Sequence, residues 1–248
     1  MLWYDYLIIV GFGLIAGFIN TMAGGGSLLV LPLLISYGIP PTIANGTNRV
    51  AILLQNVSGV IAFKRKKVIK ITDEIRLIIP AIIGGAVGAF LAVDINEALL
   101  QKVIGIVLIV MLFSLLFNPF KAKDDQLRKA RIPYWLQVII YFSVGVYGGF
   151  IQAGVGFFLI AALTFGSGYN LVKTNALKLL IVFFYTLIAL AIFIINDQVN
   201  FLIGLVLAIG NMTGAWIAAN ISVKHGAGFV RWILVVALAV FAVKMLFF

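Results

Sequence analysis

Two basic residues lie deep inside apolar segments of the sequence, where a charge is costly. Arg49 lies about eight residues into the segment 42–63, and Lys178 about eight residues into the segment 170–195. Eight helical residues rise about 12 Å, which brings both charges toward the middle of a hydrocarbon core about 30 Å thick. A cation there costs about 3 kcal/mol or more unless it faces water or a partner. The pair predicts a positive cavity for an anion, with snorkelling to the headgroups or hydrogen bonding to the carbonyls of broken helices as alternatives.

The sequence offers these cations no carboxylate inside the membrane. All eight acidic residues lie at segment ends or in loops: Asp5, Asp73, Glu74, Asp94, Glu97, Asp124, Asp125 and Asp197. This distribution disfavours a carboxylate proton relay and a path for divalent cations. Cysteine is absent and the single histidine, His225, lies in a loop. We therefore predict no catalytic residues, no metal site and no cofactor, and we do not expect an enzyme.

Uncharged polar residues surround the two cations. Amides precede Arg49 and Lys178 in their segments, and an amide can donate hydrogen bonds to an oxyanion. For Gln55, Asn56 and Asn211, hydrogen bonding between helices is at least as good an explanation as ligand contact. The predicted substrate-binding residues are Asn20, Gly24, Gly25, Gly26, Ser27, Asn45, Asn48, Arg49, Gln152, Gly154, Gly156, Asn175 and Lys178.

Two glycine-rich breaks precede short apolar segments. Gly24–Gly26 precedes the segment 26–37, and Gly154–Gly156 precedes the segment 155–167. Neither segment reaches the ~20 residues that a membrane span needs, so each is predicted to be a half-helix or a hairpin partner of the span before it. The N-terminus of such a helix carries about half a positive charge and can bind an oxyanion. The alternative is that the glycines merely let the backbone turn and helices touch.

The composition places these segments in lipid. Hydrophobic residues make up 63% of the 248 residues, charged residues make up 10%, and mean hydropathy is +1.17. A soluble domain needs roughly 25% charged residues. The net charge of +10 is assigned to cytoplasmic loops rather than to nucleic-acid binding. The predicted fold is an all-α polytopic membrane bundle of about eight to ten helices. Its apolar segments are 3–22, 26–37, 42–63, 75–92, 97–117, 134–152, 155–167, 170–195, 199–219 and 229–247.

The two halves of the chain share motifs in the same order. Gly38 and Asn45 align with Gly168 and Asn175, as do the two glycine breaks. Five segments per half would invert the second half, and the signs of the loop charges reverse between equivalent loops, as an inverted repeat requires. We predict repeats at 1–120 and 134–248, joined by a linker at 121–133. The basic loops 64–70 and 121–131 are predicted to be cytoplasmic, and both termini external.

The first motif resembles the TauE/SafE sulfite-exporter family. It runs from Gly17 to Ser27, continues through Pro32, and ends in Asn45-Gly46-Thr47-Asn48-Arg49. A weaker second motif comprises 148–156 and 174–178. The resemblance implies an inner-membrane permease for sulfite, sulfonates or related sulfur anions. It also implies that Asn45, Asn48, Arg49, Asn175 and Lys178 line the transport path.

The resulting hypothesis is a secondary transporter for a small sulfur-containing oxyanion, working by alternating access in the inner membrane. An anion channel and a carrier for thiosulfate or a carboxylate are the alternatives; an embedded enzyme or a purely structural role is disfavoured. The expected partners are the small anion and membrane lipid, without nucleic acid. The substrate, direction, coupling ion and number of subunits stay open, a homodimer being one option.

Overall fold

The computed structural model describes residues 2–22, 24–68, 75–117 and 132–222. These residues form nine helices, and the two ends of each helix lie within three residues of the ends of a predicted apolar segment. The segment 229–247 and the loop 121–131 lie outside the described residues. The helices are α1 (Trp3–Met22), α2 (Ser27–Ser36), α3 (Pro41–Arg65), α4 (Ile75–Val93), α5 (Glu97–Phe117), α6 (Tyr134–Phe150), α7 (Val155–Ala161, continued by a π-helical turn, Ala162–Gly166), α8 (Leu171–Ile195) and α9 (Phe201–Ser222).

Several of the helices have the length and composition of membrane spans. Among the described residues, four helices are long and apolar enough to cross a membrane, namely α1, α4, α8 and α9. Helix α3 is also long, at 25 residues, but it carries the polar cluster around Arg49. The predicted polytopic membrane helix bundle is confirmed.

Helix α2 folds back along α1. At its start, a Cβ on Gly26 would collide with the backbone of Ala16, and just beyond its end Tyr37 lies beside Tyr4 and Asp5. Ten residues of helix rise only about 15 Å, half of the hydrocarbon core. We call α1 and α2 the first hairpin. This short segment was predicted to be a half-helix or a hairpin partner of the span before it, and it forms a hairpin with α1.

Helix α7 folds back along α6 in the same way. The rings of Tyr147 and Phe158 meet edge to face with their centroids 5.2 Å apart. Farther along, the hydroxyl oxygens of Tyr141 and Ser167 lie 3.2 Å apart. We call α6, α7 and the π-helical turn the second hairpin. The two hairpins differ in detail, because α2 contains Pro32 where the second hairpin has its π-helical turn.

The two hairpins enter the bundle from opposite ends. The first hairpin leads into α3, whose Thr42 hydroxyl donates to Glu97 at the start of α5 (3.2 Å). The second hairpin leads into α8. Just beyond the end of α8, Gln198 donates to the Val93 carbonyl at the end of α4 (2.9 Å). Because α5 begins directly after α4, the end of α8 and the start of α3 lie at the same end of the bundle, and the two helices run in opposite directions. This opposition supports the predicted inverted repeats, whose bounds stay a prediction.

Charge separates between these two ends. We call the end of the bundle at which α1 begins and α2 ends the acidic end, and the opposite end the basic end. All four acidic residues within the described ranges lie at the acidic end: Asp5, Asp94, Glu97 and Asp197. Most described cations outside the core lie at the basic end: Lys64, Arg65, Lys66, Lys67, Arg76 and Lys173. Loop charge therefore distinguishes the two faces of the bundle.

Small residues let the helices approach closely in each half. A Cβ on Gly84 of α4 would collide with the Phe142 carbonyl of α6, and one on Gly214 of α9 would collide with the Leu14 carbonyl of α1. Such backbone contacts supply van der Waals packing where lipid removes the hydrophobic driving force. Gly85 and Gly145 likewise pack against neighbouring helices, Gly85 against Tyr185 and Gly145 against Ala81.

The tips of the two hairpins meet at the centre of the bundle. A Cβ on Gly24 would collide with the Cα of Gly156, and the reverse also holds. Gly24 in addition has a φ of +88°, in the left-handed region that disfavours residues with a side chain. Only glycine satisfies both conditions, so this break requires glycine at both positions.

We expect Gly24→Ala to destabilise the protein far more than Gly38→Ala. Both positions have positive φ, but a Cβ on Gly38 meets nothing within 4 Å. Left-handed strain costs about 1–2 kcal/mol in either variant, and the clash with Gly156 adds about 1–3 kcal/mol. The midpoint of thermal unfolding in detergent measures the difference. Equal midpoints in the two variants would show that the tips are not in contact.

Candidate functional site

Lys178 is buried in the protein rather than directed to the headgroups. Its side chain is 1% exposed. The ammonium donates to the carbonyl oxygens of Asn20 (2.9 Å) and Thr21 (2.9 Å) and to the Asn175 side-chain oxygen (3.0 Å). These three bonds use every donor of the group. The ammonium thus caps the C-terminal end of α1, where helix carbonyls lack partners within the helix.

Arg49 caps the C-terminal end of α6 in the same manner. It is fully buried. Nη1 donates to the Gly148 carbonyl and the Gln152 side-chain oxygen, both at 3.1 Å. Nη2 donates to the Gly149 carbonyl at 2.5 Å and to the Asn45 side-chain oxygen at 3.4 Å. The guanidinium also lies over the Phe193 ring, 4.6 Å from its centroid, a cation–π contact that favours the charged group.

The two cations are exchanged between the halves of the chain. Arg49 of the first half holds the second hairpin, and Lys178 of the second half holds the first hairpin. The C-terminal end of a helix carries about half a negative charge, which offsets part of the cost of burying each cation. The burial of both side chains excludes snorkelling to the headgroups. The other alternative drawn from the sequence, hydrogen bonding to the carbonyls of broken helices, is present. No carboxylate bonds either cation among the described residues.

A small cavity lies between the hairpin tips. The volume open to the centre of a water-sized sphere is about 10 Å³, which is room for about one water molecule. One part of its wall is polar and the other is aliphatic. The lining residues are Asn20, Gly24, Ile52, Gln55, Asn56, Gln152, Val155, Gly156, Lys178, Leu179 and Val182.

The structure divides the predicted site residues into three groups. Those that line the cavity are Asn20, Gly24, Gln152, Gly156 and Lys178. Those that do not line the cavity but take part in the hydrogen bonds of the two cations are Asn45, Arg49 and Asn175. Those buried elsewhere are Gly25, Gly26, Ser27, Asn48 and Gly154.

At the break before α2, the backbone N–H of Gly26 is not free to bind an anion. This N–H of Gly26, one of the predicted substrate-binding residues, donates to the Asn20 side-chain oxygen at 2.9 Å. Ser27 and Asn48 are buried, and their side-chain oxygen or amide atoms have no partner among the described residues. The predicted role of these three residues therefore stays a prediction, because none of them lines the cavity in this conformation.

Two residues that the sequence left undecided do line the cavity. Gln55 accepts from the Asn20 amide at 3.2 Å and donates to Asn56 at 3.5 Å, so an amide chain extends from the first hairpin to α3. Helical spacing was the available signal, since positions 48 and 55, or 49 and 56, are seven apart and share a face of α3.

Gln152 has a strained backbone at the second break. Its φ is +68°, although a non-glycine residue in that region costs about 1–2 kcal/mol. Its side-chain oxygen accepts from Arg49, and its amide group lies beside the Tyr185 hydroxyl. Strain of this kind at a cavity supports a functional role for the side chain.

Comparison with known proteins identifies the family. The model of the sulfite exporter TauE/SafE family matches residues 9–245. The chain belongs to this family. The predicted resemblance is confirmed over nearly the whole sequence, including the breaks and the cation-bearing helices.

Relatives of this TauE/SafE protein are described as probable membrane transporters. One from Haemophilus influenzae is 29% identical over 95% of this chain and 92% of its own length. The probable membrane transporter YfcA of Escherichia coli is 30% identical over 94% of this chain and 87% of its own. The probable membrane transporter YunE of Bacillus subtilis is 24% identical over 89% of each chain. No solved structure matches.

We expect Gln152→Gly to separate function from stability. Glycine relieves the left-handed strain at φ +68°, which offsets the lost bond to Arg49, so the unfolding midpoint should change little. Ligand binding or transport should fall, because a polar side chain that lines the cavity is removed. Asp197→Gly is the matched control, since Asp197 has a φ of +55° but is exposed in a loop. A Gln152→Gly variant with undiminished function would show that the side chain only holds Arg49.

Proposed function

We propose that this TauE/SafE protein is a secondary transporter for a small sulfur-containing oxyanion such as sulfite or an organosulfonate. The observation that carries the proposal is that Lys178 lines a cavity between the two hairpin tips. The side-chain amides of Gln55, Asn56 and Gln152 lie on the same wall. An ammonium and amide donors together suit an oxyanion.

The family supports transport, and the charge of the site supports an anion. The family model is that of a sulfite exporter, and the relatives are named as membrane transporters. We propose no catalytic activity. An anion that enters the cavity competes with the carbonyls of Asn20 and Thr21 for the ammonium, because all three donors of Lys178 are engaged there. The amides then complete its coordination.

Alternating access suits the arrangement of the hairpins. The cavity of about 10 Å³ is too small for a sulfonyl group, so a substrate enters only when a tip moves. One hairpin closes the cavity from the acidic end and the other from the basic end. Separation of the tips at Gly24 and Gly156 toward one end at a time would expose the site to alternate faces.

We further propose that the basic end faces the cytoplasm in the inner membrane. Lys64 and Arg65 end α3, and Lys66 and Lys67 follow it directly. An excess of Lys and Arg in short loops marks the cytoplasmic side. The acidic end would then face outward. In either orientation, an anion leaving the negative interior moves downhill by about 2.3 kcal/mol per charge per 100 mV, so the membrane potential favours export.

We expect Lys178→Ala and Arg49→Ala each to lower sulfite transport in proteoliposomes about tenfold or more. Each removes charge-assisted hydrogen bonds worth about 1.5–3 kcal/mol. Lys173→Ala, on the same helix as Lys178 but at the basic end, is the control and should transport normally. Counterflow of labelled sulfite that saturates with concentration identifies a carrier, whereas unitary currents identify a channel. A double variant of Lys178 and Arg49 with normal transport would show that the site lies elsewhere.

Because the chain has no cysteine, single cysteines can report the orientation. Lys64 and Asp94 are both exposed and lie at opposite ends of the bundle. We expect a membrane-impermeant maleimide to label Asp94→Cys in spheroplasts with an intact inner membrane, and to label Lys64→Cys only after permeabilisation. The opposite labelling pattern would invert the proposed orientation.

A further inference from the structure

The surroundings of the Lys178 ammonium have the composition of a binding site for a monovalent cation. Two backbone carbonyl oxygens and one amide oxygen lie 2.9–3.0 Å from a single nitrogen atom. All three belong to neutral groups, and no carboxylate bonds the ammonium among the described residues. Neutral oxygens at the end of an interrupted helix are the ligands with which transporters of inverted repeats coordinate Na⁺ or a proton.

We propose that these oxygens form a monovalent-cation site and that the Lys178 ammonium occupies it as a tethered ion. An ammonium group is close in size to K⁺, and a K⁺ filter likewise replaces the hydration shell by carbonyl oxygens. Divalent cations fit these oxygens less well, because Ca²⁺ and Mg²⁺ sites usually include carboxylates. Lys178 therefore supplies, covalently, the charge that a free ion would supply.

The burial of Lys178 separates this proposal from simple anchoring. A lysine that only anchored a helix would direct its ammonium to water or to headgroups. Here the ammonium ends in the core with all three donors engaged, and it completes the C-terminal end of α1 at the tip of the first hairpin. Its removal leaves the carbonyls of Asn20 and Thr21 without a partner in a place that water barely reaches.

The proposal has a consequence for coupling, and this consequence alone rests on the proposed function. With the ammonium in place, no vacancy exists at α1 for Na⁺ or K⁺. Wild-type transport would then require neither ion through this site. Binding of a cation to the site itself can be tested without any transported anion.

The test is thermal unfolding of the purified protein in detergent, in KCl and in choline chloride at equal chloride concentration. Lys178→Ala removes the ammonium and leaves room for an ion, whereas Lys178→Met fills the room with an uncharged chain. We expect the unfolding midpoint of Lys178→Ala to rise by about 3 °C in KCl, when K⁺ is at about ten times its dissociation constant. Wild-type protein and Lys178→Met should have the same midpoint in both salts.

Equal midpoints of Lys178→Ala in the two salts would overturn the proposal. The wild-type protein decides the matter where Lys178→Ala does not survive extraction. A tethered ion predicts no difference between the salts for the wild type. A K⁺-dependent shift of the wild type that Asn175→Leu removes would show a vacant cation site beside Asn175, which contradicts occupation by Lys178. Failure of sulfite transport in the wild type would leave these binding results unaffected.

Discussion

The burial of two cations that no carboxylate in the described part of the chain bonds is the constraint on which the rest of this structure depends. A charged side chain in hydrocarbon is tolerated only where polar groups replace its hydration. Here the replacements are carbonyls at the ends of interrupted helices, which carry partial negative charge and lack partners of their own. Each unfavourable group compensates the other: the broken helix needs donors, and the stranded cation needs acceptors.

This mutual compensation explains why both the breaks and the cations occur in pairs. Arg49 bonds to the end of α6, and Lys178 to the end of α1, so each half of the chain completes the other. A glycine-on-glycine contact then brings the two tips together at the centre. The cavity lies at this junction, between groups that both halves supply. Loss of either cation would consequently disturb a hairpin in the opposite half.

The sequence predicted the helices well and the site in part. Long apolar runs bounded by glycine, proline and charge left little choice of ends, and hence α1 and α5 have the predicted bounds. The cations and Gln152 were found because a charge or an amide in lipid has few explanations. The cavity walls were not found in full, since Ile52 and Val182 look like any lipid-facing residue until the packing is known. The partners of Arg49 and Lys178 are mainly backbone carbonyls, which every residue possesses and no sequence motif marks.

The contacts that hold the two hairpins differ in number and kind. Arg49 makes four hydrogen bonds and a ring contact, whereas Lys178 makes three hydrogen bonds; a proline interrupts one hairpin and a π-helical turn the other. If the two hairpins act as the proposed gates, they open with different free energies, and an empty carrier would spend more time facing one side. Such a carrier is a rectifier in its kinetics: half-saturating concentrations differ between the two faces of the membrane, although the equilibrium distribution of the solute does not.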